Sequence, residues 1–447
     1  MTSTATILAP QPTGNLLVMF QPGQKPKQVD RLVSNTLGLK NVAHSSDFNT
    51  LDSRMVDAFA ESGVLNLDRI GIAVVATQPG SAMAVATANL NADKHVRLAR
   101  PEFWLRALSS WNDRHAAWVR DGLALLADQA VSGNGAAPQL KASFAPPVAP
   151  LPVTGLPTAI SAQSAATWGL ACTRAELSAY SGAGIKVAVL DTGFDLTHPD
   201  FSGRTIVQQS FVPDDASVQD AQGHGTHCIG TACGPRAPAG QIRYGVAHEA
   251  DIYVGKVLNN AGSGQEGWVL AGIEWAVDSG CEVISMSLGR PVLPDEPPDP
   301  FYENAGEYAL EKGALIIAAA GNDSWRQYST IQPVNSPANC ESIMAVGAID
   351  AKFKIANFSC GGLIPPGGTV SIAGPGVDIF SAFPMPRRYE RLSGTSMATP
   401  HVAGIAALLA QSDKSLRGKA LWEALERAAQ NIGLPDRDVG KGLVMAP

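Results

Sequence analysis

Four positions carry side chains that together suit attack on a carbonyl: Asp191, His224, Asn322 and Ser396. Asp191 stands where the apolar run VAVLD meets TGFD, at the end of a predicted strand. His224 lies in GHGTHC, with Gly223 and Gly225 leaving room around its ring at the entry to a predicted helix. Asn322 closes AAAGN, a second strand end. Ser396 lies in SGTSMATPHVAG, ahead of the apolar IAALLAQ, so its hydroxyl is expected in the first turn of a buried helix. Free backbone N–H groups and the positive end of the helix dipole favour developing negative charge there. Pro400 is expected in that first turn too, where no N–H partner is lost. A hydroxyl is a weak nucleophile until a base takes its proton. An imidazole titrates in the useful range and a carboxylate can hold its tautomer, while an amide donor suits an oxyanion. Each residue also has a structural reading: Asp191 and Asn322 as turn formers, His224 as a satisfied interior histidine, Ser396 as a helix cap. Their joint order on successive strand and helix ends favours the chemical one.

The elements that must position them read as an α/β domain over residues 166–447. GIKVAVLDTG, ADIYVGKVL, CEVISMSLG, GALIIAAAGN and SIMAVGAID are near-continuous Val/Ile/Ala runs, the pattern of parallel strands covered on both faces. Helical patterns such as GQEGWVLAGIEWAVDSG alternate with them, which predicts a doubly wound, mostly parallel sheet. In such sheets active groups gather at the carboxyl ends of strands.

Residues 1–101 read as a small α+β unit with the β-α-β-β-α-β order of a ferredoxin-like split βαβ sandwich. NLLVMF, a short stretch near 41–45, RIGIAVVAT and KHVRLARPEF are its expected strands. Trp104, Trp111 and Trp118 recur at heptad spacing and predict an amphipathic connecting helix over 102–130 with a core-facing stripe. Residues 131–165 are rich in Pro, Ala, Gly and Val with Lys141 as the only charge, a flexible linker expected to hold a processing site.

The 447 residues are 45% hydrophobic and 16% charged, ample for a sizeable core. A net charge of −7 gives a nucleic-acid partner no electrostatic support, and no apolar run reaches membrane-spanning length. The first residues show no basic segment ahead of an apolar one, so no secretory signal is seen; a cytoplasmic location, or export by a non-standard route, is expected. Six cysteines lack CxxC spacing, which argues against zinc and favours free thiols.

VAVLDTGFDLTHPDF, GHGTHCIGTACG, ISMSLG, IIAAAGN and LSGTSMATPHVAG, in this order, resemble the signatures of the subtilisin-like serine proteases. The resemblance spans roughly residues 168–443 and implies a serine endopeptidase acting on polypeptides. In that reading Ser396 is the nucleophile, His224 the base, Asp191 its orienting carboxylate and Asn322 an oxyanion donor. Ser287, Leu288 and Gly289 would line the substrate cleft, with Ala319, Ala320 and Gly321 beside the pocket for the residue before the cut. No cofactor is implied for the chemistry. Asp200 in HPDF matches a calcium ligand of the family, so structural calcium is an expectation. Cys228 resembles the free thiol beneath the catalytic histidine of the proteinase K branch. Two features depart from the family: Arg290 follows SLG where a second glycine is usual, and PVLPDEPPDPFYENAGEY is an acidic, proline-broken insertion read as a solvated loop. The N-terminal unit resembles the subtilisin propeptide, which implies an intramolecular inhibitor and a zymogen. Two other readings share these residues: a peptide ligase or macrocyclase using the same triad, and a latent binding scaffold locked under its own N-terminal unit.

Overall fold

Strand β1 (Pro12–Phe20) shows how the sequence pattern builds this molecule. Its apolar run is buried on both faces. Leu16 and Val18 pack with Val29, Leu32, Val33 and Leu90 from the unit's own helices, Pro26–Leu37 and Ser81–Ala92. Leu17 and Met19 point the other way, into a core shared with the larger domain. Side chains alternate across a strand, so a continuous apolar run requires two covering layers. The computed structural model describes residues 10–39, 41–48, 54–77, 80–108, 165–213, 215–363 and 368–447.

The N-terminal unit continues with β2 (Ala43–His44), β3 (Val64–Leu67), β4 (Ile72–Ala76) and β5 (Val96–Ala107). The order β5-β1-β4-β3 is antiparallel throughout and is that of a ferredoxin-like sandwich. β3 and the helix Arg54–Ser62 were not anticipated from the sequence; β3 occupies the second-strand place expected near residues 41–45. Trp104 is corrected outright. It lies in β5, not in a helix, because β5 runs on past Phe103 to Ala107 with partners on both edges. Trp111, Trp118 and the linker, all but its last residue 165, lie outside the described residues.

In the larger domain, β6 (Lys186–Asp191), β7 (Ile206–Ser210) and β8 (Asp251–Lys256) are followed by the short β9 (Ser263–Gln265). Next come β10 (Val283–Met286), β11 (Leu288–Gly289), β12 (Leu315–Ala319), β13 (Met344–Ile349) and β14 (Ile372–Pro375). Seven of these form a parallel sheet in the order β14-β13-β12-β10-β6-β8-β7. Val187, Val189 and Ile317 face the helices His224–Cys233 and Thr395–Ser412. Ala188, Leu190 and Ile316 face Glu266–Asp278 and Pro300–Glu311. From β6 the chain goes to the edge strand β7, returns to β8 beside β6, then crosses to β10 and continues outward through β12, β13 and β14. The winding thus changes sides between the neighbours β6 and β10, and the crevice lies beyond their carboxyl ends. A hairpin of β15 (Ile379–Ala382) and β16 (Tyr389–Leu392) flanks the sheet.

The proline-broken insertion is not all solvated loop. Pro300 sits in the first turn of the helix Pro300–Glu311, Asp299 caps it by accepting from the Phe301 N–H, and Phe301 and Tyr302 are fully buried. Proline suits a first turn, where its missing N–H has no intrahelical partner to lose.

Candidate active site

The end of β6 and the start of the helix His224–Cys233 meet unusually closely. A Cβ at Gly225 would lie 2.2 Å from the Gly193 carbonyl oxygen, and Gly193 itself has φ +109°. The glycines of DTG and GHGTH therefore permit an approach that any side chain would block. Across it, His224 Nδ1 stands 2.8 and 3.0 Å from the two carboxylate oxygens of Asp191. Both residues are buried. Asp191 Oδ1 also accepts the Thr192 N–H at 2.7 Å. Asp220 braces the junction, accepting from the Thr192 hydroxyl and from the N–H and hydroxyl of Thr226.

Burial pushes the His224 pKa down, but the Asp191 charge and hydrogen bond outweigh it and hold it well above 6.5. The same charge stabilises the imidazolium formed when a serine is deprotonated. Cys228 Sγ lies 3.9 Å from His224 Nδ1, and burial pushes its thiol up, so it sits beneath the ring uncharged. His224 Nε2 is buried without a hydrogen-bond partner.

Ser396 is the second residue of the helix Thr395–Ser412. Pro400 is its sixth residue, not a first-turn proline. The bond it cannot make would have gone to the Ser396 carbonyl. That carbonyl instead accepts from the Ser287 hydroxyl at 2.9 Å and the Cys228 thiol at 3.5 Å. Proline is tolerated because other elements satisfy the freed acceptor, and Ser396 is thereby tied to the residue after β10 and to the helix His224–Cys233.

The crevice holds the end of β5. Trp104, Leu105 and Arg106 pair antiparallel with Gln265, Gly264 and Ser263 of β9. Arg106 and Ala107 pair with Gly289 and Leu288 of β11 on the other side. The Ala107 N–H donates to Gly262 O at 2.8 Å, and the Leu108 N–H to Ser287 O at 3.2 Å. Leu105, Ala107 and Leu108 are buried while Arg106 is exposed, the alternation of a strand laid in a groove. At its end the Leu108 carbonyl oxygen receives Asn322 Nδ2 at 2.8 Å and lies 2.9 Å from Ser396 Oγ. The amide is oriented by its other atom, Asn322 Oδ1, which accepts from the N–H and hydroxyl of Thr395.

The structure pairs Asp191 with His224 and sets Asn322 and Ser396 on the Leu108 carbonyl. The Ser396 hydroxyl donates to the Leu108 and Ser287 carbonyls rather than to His224 Nε2, and Ser287, Leu288 and Gly289 lie along one edge of the groove. Ala319 ends β12 and Ala320 follows it, directly before Gly321 and Asn322. The opposite edge, β9, was missed from the sequence, as was Leu108. The run GSGQ carries no strand pattern, and only pairing with β5 makes it one.

Asp200 has protein partners. Its carboxylate accepts the Tyr244 hydroxyl at 2.6 Å and the Tyr389 hydroxyl at 3.0 Å, with the Arg388 guanidinium 3.7 Å away. Two hydroxyl donors and a cation surround an anion that has no need of a metal; this set does not fit a calcium site, which calls for clustered oxygen acceptors.

The Subtilase family model matches residues 182–442, and the chain belongs to that family. It is similar to subtilisin Savinase of Lederbergia lenta, 39% identical over 282 residues that cover 62% of this chain and 96% of that one. M-protease of Shouchella clausii (strain KSM-K16) is 39% identical over 62% of this chain and 68% of its own length. Subtilisin E of Bacillus subtilis (strain 168) is 37% identical over 59% and 65%. The protein is a subtilisin-like serine endopeptidase. No helix among the described residues is long and apolar enough to cross a membrane.

Proposed function

We propose that the chain is a self-processing zymogen that cuts its own Leu108–Ser109 bond, and that its N-terminal unit is first substrate and then inhibitor. The observation that carries this is the Leu108 carbonyl, held between Asn322 Nδ2 and Ser396 Oγ by a strand paired on both edges. In this reading Ser396 Oγ attacks the Leu108 carbonyl carbon and its proton passes to His224 Nε2. Asn322 Nδ2 and the Ser396 N–H take the oxyanion, and Asp191 stabilises the imidazolium. Collapse breaks the C–N bond, and His224 returns the proton to the departing Ser109 nitrogen. Water then hydrolyses the acyl-enzyme with His224 again as base. The favoured bond lies upstream of the linker in which processing was expected.

The seated strand also describes the polypeptides the enzyme would take: Leu before the cut, a small residue at the second position and an apolar one at the fourth. Intact mass followed over time, beside Ser396→Ala, tests the proposal. Fragments 1–108 and 109–447 are expected from the unaltered chain only. Cutting at another bond would overturn the assignment, and an uncut chain unreactive to a fluorophosphonate would return the latent scaffold. A cyclised or ligated product would favour the ligase.

A further inference from the structure

The groove does not end four residues from the bond. Phe103 and Trp104, the sixth and fifth residues upstream of it, continue in the same strand register and meet side chains of the protease domain. Trp104 stands edge to face with Trp268, ring centres 5.9 Å apart at 88°. Phe103 lies under the Arg290 guanidinium at 5.4 Å, with Arg100 of the N-terminal unit at 5.2 Å on the same ring. The Phe103 N–H donates to Glu266 Oε2 at 2.9 Å. Arg290 is 7% exposed and held in place by Glu296 Oε1 at 2.6 Å and by backbone pairing with Ser336.

We infer that Trp268, Arg290 and Glu266 form a binding site for the fifth and sixth residues upstream of the cut, selective for polypeptides with aromatic side chains at both positions. The inference rests on the proteolytic reading above and deepens it. β9 and β11 fix the register of an extended substrate through its fifth residue, where Trp104 pairs with Gln265, and the Glu266 carboxylate that receives the Phe103 N–H carries the main chain on to the sixth. When such a substrate replaces the N-terminal unit, Arg100 leaves with the unit and Arg290 remains as the cation for the ring. Glu266 anchors the main chain without regard to side chain, whereas Arg290 and Trp268 read the rings. A guanidinium favours a ring face and an indole favours an aromatic edge, so both discriminate against aliphatic side chains of similar size. The unusual residue after SLG thereby acquires a role in choosing substrates.

The test is internal competition between peptides in one tube, read by mass spectrometry, using the full-length chain after its own mass has become constant. The kcat/KM ratio of two competing peptides does not depend on how much enzyme is active. Phe-Trp-Leu-Arg-Ala-Leu-Ser-Ser is expected to outcompete its Ala-Ala counterpart by about tenfold. Phe should also outcompete cyclohexylalanine at the sixth position. In Arg290→Gly the preference at the sixth position should fall toward one while that at the fifth persists; Trp268→Ala should do the reverse. Equal rates for Phe-Trp and Ala-Ala, or for Phe and cyclohexylalanine, with Leu-Arg-Ala-Leu-Ser-Ser still cut, would overturn the inference alone. Failure to cut that short peptide, or any of the others, at every dilution of the enzyme down to one that frees the N-terminal unit would overturn the proteolytic reading and this inference with it. The wild-type comparisons decide the matter even if a variant fails to fold.

Discussion

Raising the pH should loosen the N-terminal unit from the protease domain, because carboxyl groups whose pKa burial raises are sealed between them, Glu102 and Glu274 as well as the Arg100-paired Glu266. Glu102, on β5, is fully buried and accepts from the Thr13 hydroxyl, Asn15 Nδ2 and the Gly267 N–H. Burial pushes its pKa up from 4.5 to about 7, with those hydrogen bonds offsetting only part. Glu274, on the helix Glu266–Asp278, accepts the Arg69 N–H at 2.6 Å and is pushed up to about 7, again by burial. Released, each would face water and titrate near its ordinary value of about 4.5. A shift of this size corresponds to about 3 kcal/mol per carboxyl. Both groups hold their protons more tightly when docked, so the docking strength is fully present below pH 4.5. It is lost as pH rises toward 7, about tenfold per pH unit for each group while it titrates, and is level above that. The ceiling is about 300-fold per group. Hydrogen exchange on the uncuttable Ser396→Ala chain reads this directly, through the Ala107 and Leu108 amides that bond to Gly262 and Ser287. After correction for intrinsic exchange, their protection should fall between pH 5 and 7.5. Glu102→Gln should remove one group's share of the slope. Protection that stays flat across that range, or a slope untouched by Glu102→Gln, would refute the reasoning.

Two further outcomes follow from the site. Asn322→Ala removes the amide donor on the Leu108 carbonyl and should slow cutting of the Leu108–Ser109 bond by about 10²–10³-fold, roughly 3–4 kcal/mol of barrier; time-resolved intact mass measures it, and a loss below fivefold would exclude the oxyanion role. At Asp200, any change in unfolding temperature on adding a chelator should be the same in Asp200→Asn as in the unaltered chain, whereas Tyr244→Phe, which removes a hydroxyl from a buried carboxylate, should cost about 1.5–3 kcal/mol in denaturant unfolding; a chelator effect present in the unaltered chain and lost in Asp200→Asn would restore calcium there.

The doubly wound sheet was legible because its signal is local. VAVLD, CEVISMS and GALIIAAA are buried on both faces and announce parallel strands, and the strand ends then locate Asp191 and Asn322. What was missed depends on partners remote in the chain. Trp104 shares a heptad with Trp111 and Trp118, yet strand edges at 263–265 and 288–289 hold it extended. Pro400 looked confined to a first turn because only intrahelical partners were counted, whereas Ser287 and Cys228 relieve the loss from outside the helix. Insertion residues 300–311 read as loop from their prolines, although Asp299-Pro300 is a helix-start pair. Asp200 carried a family motif, but Tyr389 and Arg388, nearly two hundred positions on, decide what its charge meets.

Strand β5 belongs to two sheets at once: its first part is an edge of the N-terminal unit, and its last residues fill the groove. While the Leu108–Ser109 bond is whole, the occupant of that groove is covalently attached and its local concentration is independent of how much protein is present, typically of millimolar order for a tethered segment. The hydrolysis proposed above would remove that tether, while the residues that pair β5 with β9 and β11 all lie on the N-terminal side of the bond. From then on, the fraction of grooves filled depends on total protein against a dissociation constant. Concentrated protein would remain quiet, and the same protein dispersed into a larger volume would become active, so that dilution itself serves as the release signal.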